Sequence, residues 1–497
     1  MELIFFVRMS AVTVIICVVA YFAMLFGISF LTGKENSNEA FFLGNKKSPW
    51  YIVAFGMIGT SLSGVTFISV PGWVAKDQFS YMPMVLGYVV GYLVIATILM
   101  PLYYRLNLTS IYTYLEQRFG QYSYKTGALY FLLSRVMGAA FRLYLVAIVL
   151  DYAVFSKLGW NVPFAVTVMV TIALIWLYTF RGGIKTIIWT DTLQTFFMLS
   201  AVGLTVYLLS KAMNLGPADV YTTIRDSEYS QVFFFDDWND KRHFVKRFLA
   251  GVFITIVMTG LDQDMMQKNL SCRNVKEAQK NVIWMSGLLV IANLLFLSLG
   301  ALLYIFAVSN NIDIPAKADE LYPMLALDGY LSPIVGIFFV LGLIAAAYSS
   351  ADSALAALTT SFCIDFLNIQ KRPEAQQVRL RKMVHIGFSV LLVGVILIFQ
   401  AINDDSVISE LFTAAGYTYG PLLGLFAFGI FTNWAIRDKW VWVICLASPV
   451  LCYILQVNSE LLLGGYKFGF ELLILNGALT FIGLLAISRG RQAEIQQ

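Results

Sequence analysis

Long apolar runs separated by short polar segments follow one another along the whole chain. A transmembrane helix needs about 20 consecutive, mostly apolar residues, and thirteen runs approach or exceed that length. They lie near residues 9–31, 50–74, 82–104, 126–155, 160–180, 186–212, 247–263, 281–308, 333–366, 383–402, 406–431, 438–456 and 468–488. The pattern predicts an all-α polytopic membrane protein with one transmembrane domain over residues 1–497.

The composition supports the same class of protein. Hydrophobic residues make up 59% of the 497 residues and charged residues only 13%, whereas a soluble domain carries about 25% charged residues. A soluble enzyme, a nucleic-acid-binding protein and a disordered scaffold are therefore poor interpretations. The net charge of +4 is too small to indicate a polyanionic partner. With five cysteines in no CxxC pair and two histidines, neither a zinc site nor a disulfide framework is expected.

The distribution of basic residues predicts an orientation in the membrane. With the N-terminus outside, 21 of the 34 Lys and Arg residues fall in inner loops, 11 in outer segments and two inside a span. Because cytoplasmic loops carry an excess of basic residues, we expect a bacterial inner-membrane protein with its N-terminus outside and its C-terminus in the cytoplasm.

The same orientation predicts an internal repeat. Spans 2–6 (50–212) and spans 7–11 (247–431) form two five-helix units of opposite orientation, the arrangement of inverted-repeat transporters. Residues 9–31 then form an extra N-terminal helix, and residues 438–488 form two C-terminal helices.

Small and hydroxyl residues interrupt the second span, which reads Gly59-Thr-Ser-Leu-Ser-Gly-Val-Thr66. Backbone carbonyls that are freed by such a break can bind a cation when they face protein or water. Close helix packing by small residues is the alternative interpretation.

Two acids lie inside apolar spans. In the ninth span, Ser349, Asp352 and Ser353 share one helix face, and a carboxylate beside hydroxyl groups suits a hard cation such as sodium. Asp191 lies near the start of the sixth span. The alternatives are a structural pair with a neighbouring helix for Asp352 and solvation by the adjacent loop for Asp191. The pair of acids around Gln263 indicates a helix terminus or an inner gate.

The fourth span contains two arginines, Arg135 and Arg142, which are seven residues apart and so lie on roughly the same face. Neither is close enough to an end of the span to reach water easily, so each needs an anionic partner. The candidate partners are Asp151, Asp191 and Asp352 within the protein, or the carboxylate of a substrate.

Taken in order, these segments resemble the sodium:solute symporter family, which includes sodium/glucose, sodium/proline and bacterial sialic acid symporters. The resemblance covers nearly the whole chain. The matching segments are Phe41–Gly44, Gly59–Thr66, Tyr178–Ile184, Trp189–Asp191, Gln263–Asp264, Ala346–Ser353 and Gly416–Gly429.

The resemblance implies a LeuT-like core of two inverted five-helix repeats, with sodium as the co-transported ion and no organic cofactor. The implied principal sodium site consists of the carbonyls of Gly59, Leu62 and Ala346 and the hydroxyls of Ser349 and Ser350. The second cation site of some members would use Asp191, Ser349, Asp352 and Ser353. Family members commonly have Ser or Thr where this chain has Asp352, so a cation, a proton and an arginine all stay open as its partner.

The substrate pocket implied by the resemblance lies beside the break in the second span. Its residues would be Ser61, Ser63, Thr66, Tyr88, Arg135 and Arg142. Sialic acid symporters place their arginine at the position of Gly138, one turn from Arg135, and sugar transporters tend to have glutamine in place of Tyr88. Neither a sugar nor sialic acid is therefore assigned as the substrate.

We expect a monomeric, sodium-coupled secondary active symporter in the lipid bilayer that imports a small polar solute, with a carboxylate-bearing solute favoured. A transporter-like sensor that binds solute without accumulating it is the alternative. The sequence has no Walker A, GxSxG or HExxH motif, so neither ATP-driven pumping nor hydrolase chemistry is expected. Asp191 and Asp352 are the candidate pair for an intramembrane enzyme, but the resemblance explains both acids better.

Overall fold

The computed structural model describes residues 10–32, 46–151, 155, 159–179, 184–402 and 407–491. Two of the segments that carry the family resemblance, Phe41–Gly44 and residues 180–183, lie outside this part of the chain.

The described chain is almost entirely helical. The helices of its first half are α1 (Ala11–Thr32), α2 (Trp50–Ser61), α3 (Gly64–Asp77), α4 (Tyr81–Val94), α5 (Met100–Arg105), α6 (Thr113–Arg118), α7 (Gln121–Leu150), α8 (Phe164–Thr179), α9 (Ile184–Ala212) and α10 (Pro217–Arg225). The second half contains α11 (Phe244–Thr255), α12 (Gln263–Leu270), α13 (Val275–Ser309), α14 (Leu321–Leu327), α15 (Pro333–Ser361), α16 (Glu374–Ile402), α17 (Val407–Thr418), α18 (Gly420–Phe431), α19 (Val441–Val457), α20 (Ser459–Leu462) and α21 (Leu472–Ala486). Short π-helical turns extend α4, α11 and α15 at Ile95–Leu99, Ile256–Gly260 and Phe362–Phe366. Strands β1 (Trp434–Ile436) and β2 (Ser488–Arg491) pair antiparallel.

Each of the thirteen predicted spans coincides with a helix or a helix pair. Seven continuous helices are long and apolar enough to cross a membrane, and three shorter apolar helices fall on the first, fifth and last predicted spans. The remaining three spans are bent helix pairs: α2 and α3 at 54°, α11 and α12 at 66°, and α17 and α18 at 46°. The sequence predicted the first break and a helix terminus at the second. The third break was not predicted.

Apolar side chains cover both the inside and the outside of the bundle. Tyr348 and Phe296 are buried in the core, whereas Val390 and Ile398 on α16 are 67% and 63% exposed. A water-soluble protein rarely leaves so many large apolar side chains uncovered, so these outward faces fit a lipid environment.

Two short helices mark the opposite ends of the bundle. Helix α10 follows α9 at one end, where the Gln78 side chain donates to the Glu228 carbonyl at 2.6 Å. Helix α6 precedes α7 at the other end, where the Ile111 amide donates to Gln263 at 2.9 Å. These are called the α10 end and the α6 end below.

Helices α4 and α11 approach each other at glycines. A methyl group at Gly251 would overlap the Met84 carbonyl oxygen and lie 2.8 Å from the carbonyl carbon. A backbone atom cannot move away as a flexible side chain can, so only glycine fits at this contact.

We therefore expect Gly251→Ala to destabilise the fold by about 1–3 kcal/mol, as overpacking does. Gly287→Ala on α13 is the matched control because nothing lies within 4 Å of its added methyl group. It should leave stability unchanged or raise it by up to about 1 kcal/mol, because alanine is the better helix former. Thermal unfolding of the purified protein in detergent measures both. Equal unfolding temperatures for the two variants would contradict the close α4–α11 contact.

Candidate cation and solute site

The break between α2 and α3 opens the centre of the bundle. Helix α2 ends at Ser61 because Leu62 and Ser63 both leave the helical conformation, with ψ of 17° and 176°. The last carbonyls of a helix have no partner within it. Helix α15 passes this point, and the Ser350 hydroxyl lies 3.4 Å from the Thr60 carbonyl and 3.3 Å from the Ala346 carbonyl.

The structure thus places Ser350 and the Ala346 carbonyl of the predicted principal sodium site beside the end of α2, where the nearby carbonyl is that of Thr60 and not that of Gly59 or Leu62. Hydroxyl and carbonyl oxygens are the ligands that hard cations prefer. At Gly59 the amide donates to the Thr195 hydroxyl at 3.0 Å, and a Cβ there would overlap the same hydroxyl oxygen. Ser349 is turned toward a carboxylate instead, since its hydroxyl donates to Asp191 Oδ1 at 2.6 Å.

A lysine lies in the middle of the predicted second cation site. Lys268 Nζ donates to Thr60 Oγ1 at 2.6 Å, Asp191 Oδ2 at 2.7 Å and Ser353 Oγ at 2.8 Å. The side chains of Lys268 and Asp191 are both 1% exposed. Asp352 is also fully buried, and its Oδ1 accepts from the Ser353 amide at 2.5 Å.

This arrangement corrects two expectations. Asp191 is not solvated by the neighbouring loop, because it is fully buried. Lys268 was counted among the inner-loop charges, but it lies within α12, inside the protein. Hydropathy could not distinguish it from a loop residue, because it follows a short polar stretch at the end of an apolar run.

The ion-pair partner of Arg135 lies on α12. Its guanidinium forms an ion pair with Asp264 and lies 3.8 Å from Asp262 Oδ2. Asp262 Oδ2 also accepts from the Tyr419 hydroxyl at 2.7 Å. The three aspartates proposed from the sequence as partners were therefore wrong for Arg135. The helix terminus predicted around Gln263 is confirmed, because Asp262 caps the first turn of α12.

Arg142 has a different environment, although it lies on the same helix. It is 6% exposed, and its Nε and Nη1 atoms have no hydrogen-bond partner among the described residues. It faces a cavity of about 90 Å³ that lies beside the helix break.

All six predicted substrate residues line this cavity. They are Ser61, Ser63, Thr66, Tyr88, Arg135 and Arg142. Tyr88 contributes to its wall together with Tyr81, whose hydroxyl lies 3.0 Å from that of Tyr88. Further polar residues that line the cavity, among them Thr259 and Asn293, were not predicted from the sequence. Nothing in the pattern of their apolar helices distinguished them from packing residues.

A separate, larger cavity of about 840 Å³ lies toward the α10 end. It shares helices α3 and α7 with the small cavity and is lined farther along them by Gly72 and Val149. Toward the α6 end, the Tyr103 and Tyr112 hydroxyls donate to the carbonyls of Gly260 and Leu261, each at 2.9 Å. Packed protein therefore separates the small cavity from the α6 end, whereas the larger cavity lies farther along α3 and α7, toward the α10 end.

Comparisons with known proteins agree with this architecture. The model of the sodium:solute symporter family matches residues 41–437. The human sodium/iodide cotransporter is 27% identical over 415 residues, covering 80% of this chain and 62% of that protein, so the chain spans about three fifths of the human relative. The sodium/sialic acid symporter SiaT of Proteus mirabilis is 24% identical over 423 residues and 83% of each chain.

A solved structure extends the likeness to the fold. It is described as the substrate-bound outward-open state of a sodium-coupled sialic acid symporter with a novel sodium site. It matches with a TM-score of 0.81 at 19% identity, covering 96% of this chain and 99% of that chain. The predicted LeuT-like architecture is confirmed.

The broken helices around a central cavity define a secondary transporter of the membrane. The chain belongs to the sodium:solute symporter family. It is a sodium-coupled symporter of a small solute and not an enzyme, and the sensor alternative is not favoured.

The ion pair predicts a structural role for Arg135. Arg135→Gln leaves two buried acids without their cation, and removing one partner of a buried pair destabilises by about 3–5 kcal/mol. Thermal unfolding should show this as a large decrease in melting temperature. Arg225→Gln is the control, because the Arg225–Asp226 pair is 58% and 62% exposed and should not affect melting. A normally stable Arg135→Gln protein that loses binding of acidic solutes alone would instead assign Arg135 to the substrate.

Proposed function

We propose that this protein imports a small anionic solute together with sodium, and that Arg142 binds the negative charge of the solute. The observation that carries this proposal is an arginine whose Nε and Nη1 have no hydrogen-bond partner in the described ranges of the chain and which faces a cavity beside the helix break.

The charge balance of the cavity favours an anion. Arg135 is neutralised by Asp264, whereas the described residues supply no ion pair for Arg142. A buried charge without a partner is unfavourable inside a membrane protein. A carboxylate can accept two parallel hydrogen bonds from a guanidinium, so a solute anion would provide what the protein itself does not.

The size of the cavity favours a small solute. Its volume of about 90 Å³ is well below the roughly 300–1,000 Å³ of pockets that bind drug-sized ligands. A short monocarboxylate is the solute class that we favour. Two of the related proteins are named for anions, iodide and sialic acid, which supports an anionic substrate.

Sodium would bind where α2 ends beside α15. The proposed ligands are the carbonyls of Gly59, Leu62 and Ala346 and the hydroxyls of Ser349 and Ser350. An ion at this place connects the two helices and so stabilises the state in which the solute site can be filled. Each positive charge that moves inward down the membrane potential supplies about 2.3 kcal/mol per 100 mV.

The α10 end is proposed to face the outside, so that solute enters through the larger cavity. This corresponds to a bacterial inner-membrane protein, acting as a monomer, with the N-terminus outside and the C-terminus in the cytoplasm. The proposed repeats are residues 50–212 and 247–431. Each begins with a bent helix pair, α2–α3 and α11–α12, which supports the division.

The first test replaces Arg142 with glutamine. A hydrogen bond to a charged group contributes about 1.5–3 kcal/mol, so affinity for acidic solutes should fall roughly 10–150-fold. A thermal-shift screen with acetate, lactate, proline and glucose, each in sodium buffer, measures this. Arg142→Lys should retain part of the affinity for acids. Equal losses for acidic and neutral solutes would contradict anion binding by Arg142.

The second test removes a proposed sodium ligand. Ser350→Ala deletes a hydroxyl at the α2–α15 contact, so half-maximal uptake into proteoliposomes should require roughly tenfold more sodium, as expected for losing about 1.4 kcal/mol. Ser389→Ala is the control, because the Ser389 hydroxyl bonds to the His385 carbonyl within α16, at 2.9 Å. An unchanged sodium requirement in Ser350→Ala would argue strongly against the principal site.

A further inference from the structure

We infer that Lys268 is a built-in cation which occupies the second cation site, so that the protein carries one sodium ion per cycle. This inference rests on the proposed function, because it concerns the number of ions that the same transporter binds.

Every N–H donor of the Lys268 ammonium group has an oxygen partner within the protein. An ammonium group has three N–H donors, and Nζ has three oxygen partners at 2.6, 2.7 and 2.8 Å. The three oxygens come from α2, α9 and α15, and Lys268 itself lies on α12. The lysine therefore links four helices at one point.

A sodium ion at this place would need the same lone pairs. Asp191 Oδ2 and Ser353 Oγ are the atoms that face Lys268 Nζ, and both residues belong to the predicted second cation site. Two cations cannot share these oxygens, because each would occupy the space and the coordination of the other. While Lys268 holds this position, a second sodium ion is excluded.

The charges lead to the same conclusion. The carboxylate of Asp191 is matched by the ammonium of Lys268 at 2.7 Å, with both side chains 1% exposed. The other carboxylate oxygen accepts from Ser349. With both oxygens engaged and the charge neutralised, this part of the site offers little attraction for an added ion.

The part of the principal site around Ser350 does not contact Lys268, although Ser349 belongs to both predicted sites. Ser350, one residue beyond Ser349, lies against the Thr60 and Ala346 carbonyls, whereas Lys268 contacts the Thr60 side chain. One sodium ion can therefore bind at the α2–α15 contact while the lysine stays in place.

The number of sodium ions bound by the purified protein tests this inference. Equilibrium binding of ²²Na⁺ should give one ion per wild-type chain. Lys268→Gln should give two, because it leaves Asp191 without a counter-charge while keeping a polar side chain of similar length. Lys268→Arg retains the positive charge and should still bind one.

Double variants identify which site gains the ion. Lys268→Gln with Ser353→Ala should return to one sodium ion, because a ligand of the second site is lost. Lys268→Gln with Ser350→Ala should keep one ion at the second site and bind the other roughly tenfold more weakly, in line with about 1.4 kcal/mol. Sodium-dependent stabilisation gives an independent readout, because the melting temperature of Lys268→Gln should rise more steeply with the logarithm of sodium concentration than that of the wild type.

The wild-type count decides the inference even if Lys268→Gln does not fold. Two sodium ions bound by the wild type would overturn the role of Lys268 and leave the proposed symport intact. A well-folded Lys268→Gln protein that binds only one ion would also overturn it. No sodium binding by the wild type would overturn the sodium assignment itself, and this inference with it.

Discussion

Charges within this bundle must find their partners inside the protein, because the lipid offers none. That constraint explains the arrangement of the central polar groups. Arg135 is matched by Asp264, and Lys268 is matched by Asp191. Arg142 is the exception among these cations, since two of its nitrogens have no hydrogen-bond partner in the described part of the chain. The solute anion proposed above would supply the missing partner of Arg142.

The helix breaks meet the same requirement for the backbone. In a continuous helix the backbone carbonyls accept hydrogen bonds from amides of the same helix. The interrupted α2 instead presents its last carbonyl oxygens to the interior. Helix α15 brings the Ser350 hydroxyl to that interruption. The close approach depends on small residues: at Gly59, even a methyl group would overlap the Thr195 hydroxyl on α9. Ion coordination and close helix packing were alternative explanations for the interrupted second span. The structure shows close packing at Gly59, and ion coordination at the break is the proposal that this packing permits.

Much of the architecture could be predicted from the sequence because length and hydropathy determine which segments can cross a bilayer. The six residues proposed for the substrate pocket do line one cavity, since their positions follow from the break and from helical periodicity. The partners of Arg135 and Asp191 could not be predicted in this way. Both lie on α12, a helix of eight residues whose polar sequence resembles a loop. Pairing between distant segments depends on the bend of the α11–α12 pair, which periodicity does not reveal.

Helix α12 consequently carries several of the buried charged contacts that connect the helices of the described structure. Its cap Asp262 and its residues Asp264 and Lys268 provide charged contacts to α7, α9 and the region of Tyr419. Any movement that opens the α6 end by displacing α12 must separate several of these contacts at once. Since each broken contact would leave a charge buried without a partner, partial displacement is unfavourable. The arrangement therefore resists small displacements of α12 while these contacts are in place.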